Sequence, residues 1–456
     1  MKRNNNKHYY THSFSWELLS YYVHFLQSVF YKNIVIEGRE NIPDNCPLIF
    51  APNHQNAVMD SIAVFYATKM QIVFFARADI FSNPIFRIIL RWFKILPIYR
   101  VRDGKENLQN NDASFDNAIE ILKNGGQIGI FPEAQHSDKR SLLPVKKGIP
   151  RVAFMAEEKS GFNLNLKIVP VGIYYSKYNK MRSILHIKFG QAISVADYKE
   201  IYEESPQKSL LELRDEIYRR LKPLVIDIKD LNLYNTYESI IDIYVKKFIK
   251  KSQSAKSVII NKFNVSKTII DALDIYKEKN PEKIESIKNK VFEYENLKKN
   301  YKISQQAIEK QKNNCFGLFI NFLLILICMP VFIYGLLNNI FAYFIPQIVV
   351  RKIKDTQFHS SVKFVWGIFA IPIIYLIQTI AVFFIFNSFP VTLIYLISLP
   401  LTGFAARLII EHINNFAGNF NLCRLKKTKP AGYSKLKELY NEIISELDLI
   451  PIADLK

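Results

Sequence analysis

The stretch "FVWGIFAIPIIYLIQTIAVFFIF", residues 364–386, runs for 23 residues without a charge. At about 1.5 Å of rise per helical residue it covers the roughly 30 Å hydrocarbon core of a bilayer, so the chain reads as a membrane protein. Two further apolar stretches flank it, at 316–350 and 389–410. The first is too long for one span and is interrupted by Pro330, by Asn338 and Asn339, and by Pro346. That pattern fits either a span with an interfacial return or a re-entrant hairpin. A hairpin followed by two full spans keeps the basic segments "RKIKDTQFHSSVK" and "CRLKKTK" on the cytoplasmic side, where such loops belong.

Charge narrows the partners. With 61 Lys and Arg against 41 Asp and Glu, the chain carries a formal +20 and should attract anions. The basic residues cluster beside apolar runs rather than on an aromatic-interleaved face, so membrane lipids and phosphorylated small molecules are expected and nucleic acid is not. Cysteines 46, 315, 328 and 423 have no paired spacing, which argues against a disulfide framework or a zinc site. The N-terminal "MKRNNNKHYYTHSFSWELL" lacks the apolar core and cleavage site of a secretory leader. The expectation is an integral protein of the cytoplasmic membrane whose soluble part faces the cytoplasm.

Five regions follow from the composition. Residues 1–32 form an N-terminal interfacial helix, because "WELLSYYVHFLQSVFYK" is apolar on most faces but only 17 residues long and includes Glu17, His24 and Gln27. In 33–198, the strand-like runs "NIVIEG", "PLIFAP", "QIVFFAR", "QIGIFPE", "KIVPVGIYY" and "LHIKFGQAIS" alternate with helical stretches starting near Ala57, Asn83, Ala113 and Lys147. This predicts an α/β domain with a largely parallel sheet, followed by an α-helical module and C-terminal transmembrane helices. Residues 199–312 read as the charged helical module, with two amphipathic helices separated near Pro281. Its acidic and basic residues interleave, which favours a solvated module over a nucleic-acid arm. Residues 313–412 are the membrane region and 413–456 a cytoplasmic C-terminal tail.

The chemistry centres on "NHQNAVMD", residues 53–60. Asp60 falls inside the apolar helix "AVMDSIAVFYAT", where an unpaired carboxylate would cost several kcal/mol. His54 lies six residues earlier, about 240 degrees around a helix, so the two meet only if His54 occupies the preceding turn. There Asp60 would accept the Nδ1 proton and leave Nε2 to take a proton from a substrate hydroxyl. Downstream, "IGIFPEAQHSDKRSLLPVKKG" places Glu133 after a strand and adds Lys139, Arg140, Lys146 and Lys147, while "PIYRVRDGKEN" brings Arg100 and Arg102. Such loops suit a phosphate. With no G-x-S-x-G elbow and no cysteine paired with a histidine, direct attack by the activated hydroxyl is favoured over a covalent acyl-enzyme.

Taken in order, "NHQNAVMD", "LPIYRVRDG", "IGIFPEAQHS" and "KIVPVGI" resemble the four blocks of the glycerolphosphate and lysophosphatidate (1-acylglycerol-3-phosphate) acyltransferase family, over roughly residues 33–195. The resemblance implies acyl transfer from acyl-CoA or an acyl carrier protein to a hydroxyl of glycerol 3-phosphate or lysophosphatidate, in phospholipid biosynthesis. It makes His54 the general base and Asp60 its orienting partner. Asn53, Arg100, Arg102, Glu133, His136, Lys146 and Lys147 become the substrate-binding set, with Arg100 and Glu133 near the acceptor phosphate. No metal or cofactor is expected beyond the thioester co-substrate.

Two departures stand out. Five residues separate His54 from Asp60 where most of the family has four, which is similar to some glycerol-3-phosphate acyltransferases. Ala134 occupies the glycine position of the "FPEG" block, which strains the loop if a positive φ is needed there. The alternative reading is a catalytically impaired membrane scaffold that binds lipid phosphate.

Overall fold

The computed structural model describes residues 7–11, 14–98, 110–249, 254–310 and 315–451. The chain divides into two compact units, Met1–Asp227 with Ile353–Phe364, and Ile228–Lys352 with Val365–Lys456.

The first unit is built on an eight-stranded sheet: β1 (Asn33–Glu37), β2 (Leu48–Pro52), β3 (Ile72–Arg77), β4 (Ile95–Ile98), β5 (Gln127–Gly129), β6 (Lys167–Tyr175), β7 (Ile184–Phe189) and β8 (Ile193–Ser194). The order is β1-β7-β6-β2-β5-β3-β4, with β8 paired to β6. Pairing is parallel except at β6–β7 and β6–β8. Every residue of "LIFAP" in β2 is buried, as befits a central parallel strand covered on both faces. All six strand-like runs of the sequence are strands. β4 is the addition, formed by "ILPI" at the start of the second block.

One core layer joins Ile49, Ala51 and Ile128 of the sheet to Ile121 and Leu122 of helix Asn110–Lys123, and to Val152 and Ala156 of helix Gly148–Glu158. Leu213 and Ile217 of helix Pro206–Leu221 belong to the same core. The expected domain boundary at residue 198 therefore moves to Asp227. Residues 353–364, expected as a loop of the membrane region, also belong to this unit. At the N-terminus, helix Phe14–Phe30 turns Val23, Gln27 and Phe30 inward and stacks His24 on Tyr66. Its other face exposes Phe14, Leu18, Tyr21 and Phe25.

In the second unit, helices Ala255–Lys279 and Pro281–Asn300 are the two charged helices that the Pro281 break predicts. Three helices are long and apolar enough to cross a membrane: Phe316–Asn338, Phe358–Phe386 and Phe389–Thr428. A shorter apolar helix, Ile340–Arg351, follows the first. Pro330 sits within its helix without ending it, and the break falls at Asn338 and Asn339 instead. The expected tail is not separate, because helix Phe389–Thr428 runs through residue 413 and is followed by helix Pro430–Asp448. That last helix buries Leu436, Leu439, Ile443 and Leu447 and is tied to Lys290 through Glu442 at 2.8 Å and Glu446 at 2.7 Å.

Candidate active site

β2 and β5 are parallel neighbours, so the loops leaving their carboxyl ends meet. The first carries "NHQNA" and the second runs from Ile130 to Lys147. Asn53 closes the end of β2 onto β6: its Nδ2 donates to the Ile173 carbonyl at 3.2 Å, and its Oδ1 accepts the Ile173 N–H at 2.6 Å. His54 then sits in a turn, as the spacing requires, and helix Val58–Thr68 begins after Ala57.

Asp60 is fully buried, and four donors replace its lost water. Oδ2 accepts the backbone N–H groups of Gln55 at 2.8 Å and Asn56 at 2.7 Å, and lies 2.9 Å from His54 Nδ1. Oδ1 accepts the Tyr175 hydroxyl at 2.8 Å. The carboxylate thus shapes the turn and holds the imidazole together. Because an ionised carboxylate only accepts, it keeps the proton on Nδ1 and frees Nε2 to act as a base. Burial, and next the charge of Asp60, raise the Tyr175 pKa well above the usual tyrosine value, so that hydroxyl remains a donor.

The second loop clamps His54 from outside. The His54 N–H donates to Glu133 Oε1 at 2.8 Å, and the His54 carbonyl accepts the Ser137 N–H at 3.2 Å. Glu133 Oε2 accepts the Leu143 N–H at 3.0 Å. Phe131 stacks on the imidazole at 3.8 Å between ring centroids and 15° between planes. His136 meets it edge-on at 5.3 Å. Burial, then the neighbouring His54, lower the His136 pKa, while Asp60 and Asp355 pull the other way. Burial pushes Glu133 up to about 8, against the pull of its two backbone N–H donors.

The expected site residues thus divide. His54, Asp60 and His136 come together. Asn53 and Glu133, expected as substrate contacts, are buried with their side chains bonded to backbone, so they build the site without presenting themselves to a ligand. Arg140 is likewise turned inward, donating to the carbonyls of Tyr175 at 3.2 Å and Ser176 at 3.1 Å. Lys146 and Lys147 are exposed, at the start of helix Gly148–Glu158. Arg100 and Arg102 lie outside the described residues. Sequence reasoning missed Phe131, Tyr175, and Tyr178, whose hydroxyl donates to Gln55 Oε1 at 2.8 Å. "GIYYSKY", a tyrosine-rich strand end after the fourth block, was the available signal for the two tyrosines.

A buried carboxylate that orients a histidine beyond the carboxyl ends of a parallel sheet has the chemistry a general base needs to take a proton from a hydroxyl. Residues 33–174 match the family model described as Acyltransferase. The chain is similar to glycerol-3-phosphate O-acyltransferase 2 of Saccharomyces cerevisiae, at 33% identity over 25% of this chain and 15% of the yeast protein. It is also similar to 1-acyl-sn-glycerol-3-phosphate acyltransferase of Borreliella burgdorferi, at 25% identity over 42% of this chain and 73% of that protein. The match spans less than a fifth of either yeast glycerol-3-phosphate acyltransferase. Among solved structures, the 1-acyl-sn-glycerophosphate acyltransferase PlsC of Thermotoga maritima aligns with a TM-score of 0.33 and 19% identity, over 47% of this chain and 86% of that one.

Proposed function

We propose that the chain is a membrane-bound O-acyltransferase that moves a fatty acyl group from a thioester, acyl-CoA or acyl carrier protein, to a hydroxyl of glycerol 3-phosphate or lysophosphatidate. The observation that carries this reading is His54 in an acyltransferase-family domain, its Nδ1 tied to Asp60 and its Nε2 without a hydrogen-bond partner among the described residues. In the proposed reaction Nε2 takes the proton of the acceptor hydroxyl as its oxygen bonds to the thioester carbonyl carbon. Collapse of the tetrahedral intermediate breaks the C–S bond, and the thiolate leaves with the proton returned by the imidazolium. Asp60 stabilises that imidazolium throughout.

Lys146 and Lys147, exposed at a helix N-terminus, suit the acceptor phosphate, together with Arg100 and Arg102. The five-residue spacing between His54 and Asp60 favours glycerol 3-phosphate as acceptor. Three apolar helices support action at a membrane, with the catalytic unit on the cytoplasmic face. The scaffold reading rested on Ala134, but the loop that carries it still clamps His54, which favours the enzyme.

The test is acyl transfer by membranes containing the protein, with an acyl thioester and each acceptor in turn. His54→Ala should lower kcat by about 10²–10⁴ or more, the range for loss of a general base. Full activity in that variant would sink the mechanism. Binding of the lipid phosphate without transfer to any acceptor would favour the scaffold.

A further inference from the structure

The segment 353–364 follows the catalytic block by more than two hundred residues, yet it belongs to the catalytic unit. Three of its contacts fall on the two loops that form the site. Thr356 Oγ1 donates to Asp138 Oδ2 at 2.8 Å, on the His136 loop. The Phe358 ring meets the His136 ring edge-on, with 5.0 Å between centroids and 86° between planes. Ser361 Oγ approaches the Asn56 carbonyl at 3.4 Å, in the His54 turn. Ser360 Oγ donates to the Tyr178 carbonyl, and Lys363 Nζ to that of Asn179 at 3.2 Å. Phe364 packs edge-on against Phe30 at 5.5 Å, anchoring the segment on the N-terminal helix.

These contacts form a chain of three rings, Phe358 on His136 and His136 on His54. Phe131 stacks on one face of His54 and Asp60 holds its Nδ1, and the His136 ring adds a perpendicular contact. Ala134 and Gln135 beside it are exposed, and Phe358 contacts His136 from outside its own loop. We propose that segment 353–364 is a structural part of the active site, with Phe358 as a positioning residue that braces His136 and, through it, the general base His54. The proposal rests on the acyltransferase reading above. It gives a physical reason for the C-terminal half to share one chain with the catalytic domain, because helix Phe358–Phe386 opens with the brace and continues as a candidate span.

The test uses the full-length protein in lipid, with acyl thioester and phosphate acceptor. Phe358→Ala should lower kcat about tenfold or more, as small misplacements of catalytic groups do, with KM little changed. Phe358→Tyr keeps the ring edge and should restore most of the rate. Phe358→Leu guards against simple misfolding: it keeps an apolar side chain, and should melt near wild type yet still lose kcat. Wild-type kcat in both the Ala and Leu variants would overturn the brace while leaving the acyltransferase reading intact. An equal loss in the Tyr variant would overturn it too, since packing alone would then explain the effect. A wild-type protein that acylates no phosphate acceptor would overturn the functional reading, and the brace with it.

Discussion

Buried carboxylates persist only where donors replace the water they have lost, and at Asp60 those donors come from both sides of the turn. Two N–H groups arise from the turn itself and the Tyr175 hydroxyl from a neighbouring strand. The backbone bears the strain of this arrangement. Ala57 closes the five-residue gap at φ 47°, ψ −124°, and Ala134 holds the second loop at φ 56°. Both are conformations that favour glycine, at a cost to other residues of about 1–2 kcal/mol each, partly offset by the extra freedom glycine has when unfolded. The sequence raised this question at Ala134, and the positive φ answers it: the loop keeps the glycine-like shape with alanine in place. Ala57→Gly and Ala134→Gly should each raise the melting temperature by about 2–4 °C, the shift expected of roughly 1 kcal/mol in a unit of this size. A drop in both variants would show that neither backbone is strained.

Two elements show how local pattern and tertiary contact divide the work. In helix Phe14–Phe30 the exposed Phe14, Leu18, Tyr21 and Phe25 recur at i, i+4, i+7 and i+11, one unbroken stripe, while the opposite face packs on the catalytic unit. The stripe suits the headgroup layer of a bilayer, as its length and composition imply. Leu18→Glu with Phe25→Glu should lower transfer to a bilayer-embedded acceptor about tenfold and leave transfer to a short-chain, water-soluble acceptor near wild type. Equal rates on both would place the stripe elsewhere. The "NN" at 338–339, legible in the sequence only as an interruption, is a knot that ties the apolar helices. Asn339 Nδ2 donates to the carbonyls of Gly335 at 2.9 Å and Leu399 at 3.2 Å, and Oδ1 accepts the Tyr375 hydroxyl at 2.6 Å. Asn338 Oδ1 accepts the Tyr395 hydroxyl at 2.7 Å. At Gly335 a Cβ would come within 2.3 Å of the Thr402 carbonyl oxygen, the close approach that small residues permit between apolar helices.

For the whole molecule, chain continuity constrains the membrane path. Among the described residues every candidate span lies beyond residue 315, and the chain rejoins the catalytic unit at Ile353. We propose that the stretch between leaves and returns on one side, the hairpin that the basic loops imply. Asn339 bonds Leu399, ten residues into the helix that starts at Phe389, or about 15 Å along its axis and half of a roughly 30 Å core. A membrane-impermeant thiol reagent should therefore label Asn387→Cys only from the side opposite the catalytic unit, and Asn338→Cys from neither side. Labelling of Asn338→Cys from that opposite side would make the first helix a full span. The sequence by itself determined the apolar helices and all the strands but β4, because each follows from periodicity within a few residues. The pairing of His54 with Asp60 as base and orienting partner came from the resemblance of its blocks to a known family. Only the tertiary structure decided that Glu133 and Asn53 brace the site from within, that Tyr175 completes the Asp60 shell, and that Phe358 reaches His136. Those contacts join segments distant in the chain, brought together by parallel strand pairing and by a helix that starts on the catalytic loops, and no local pattern encodes such a meeting.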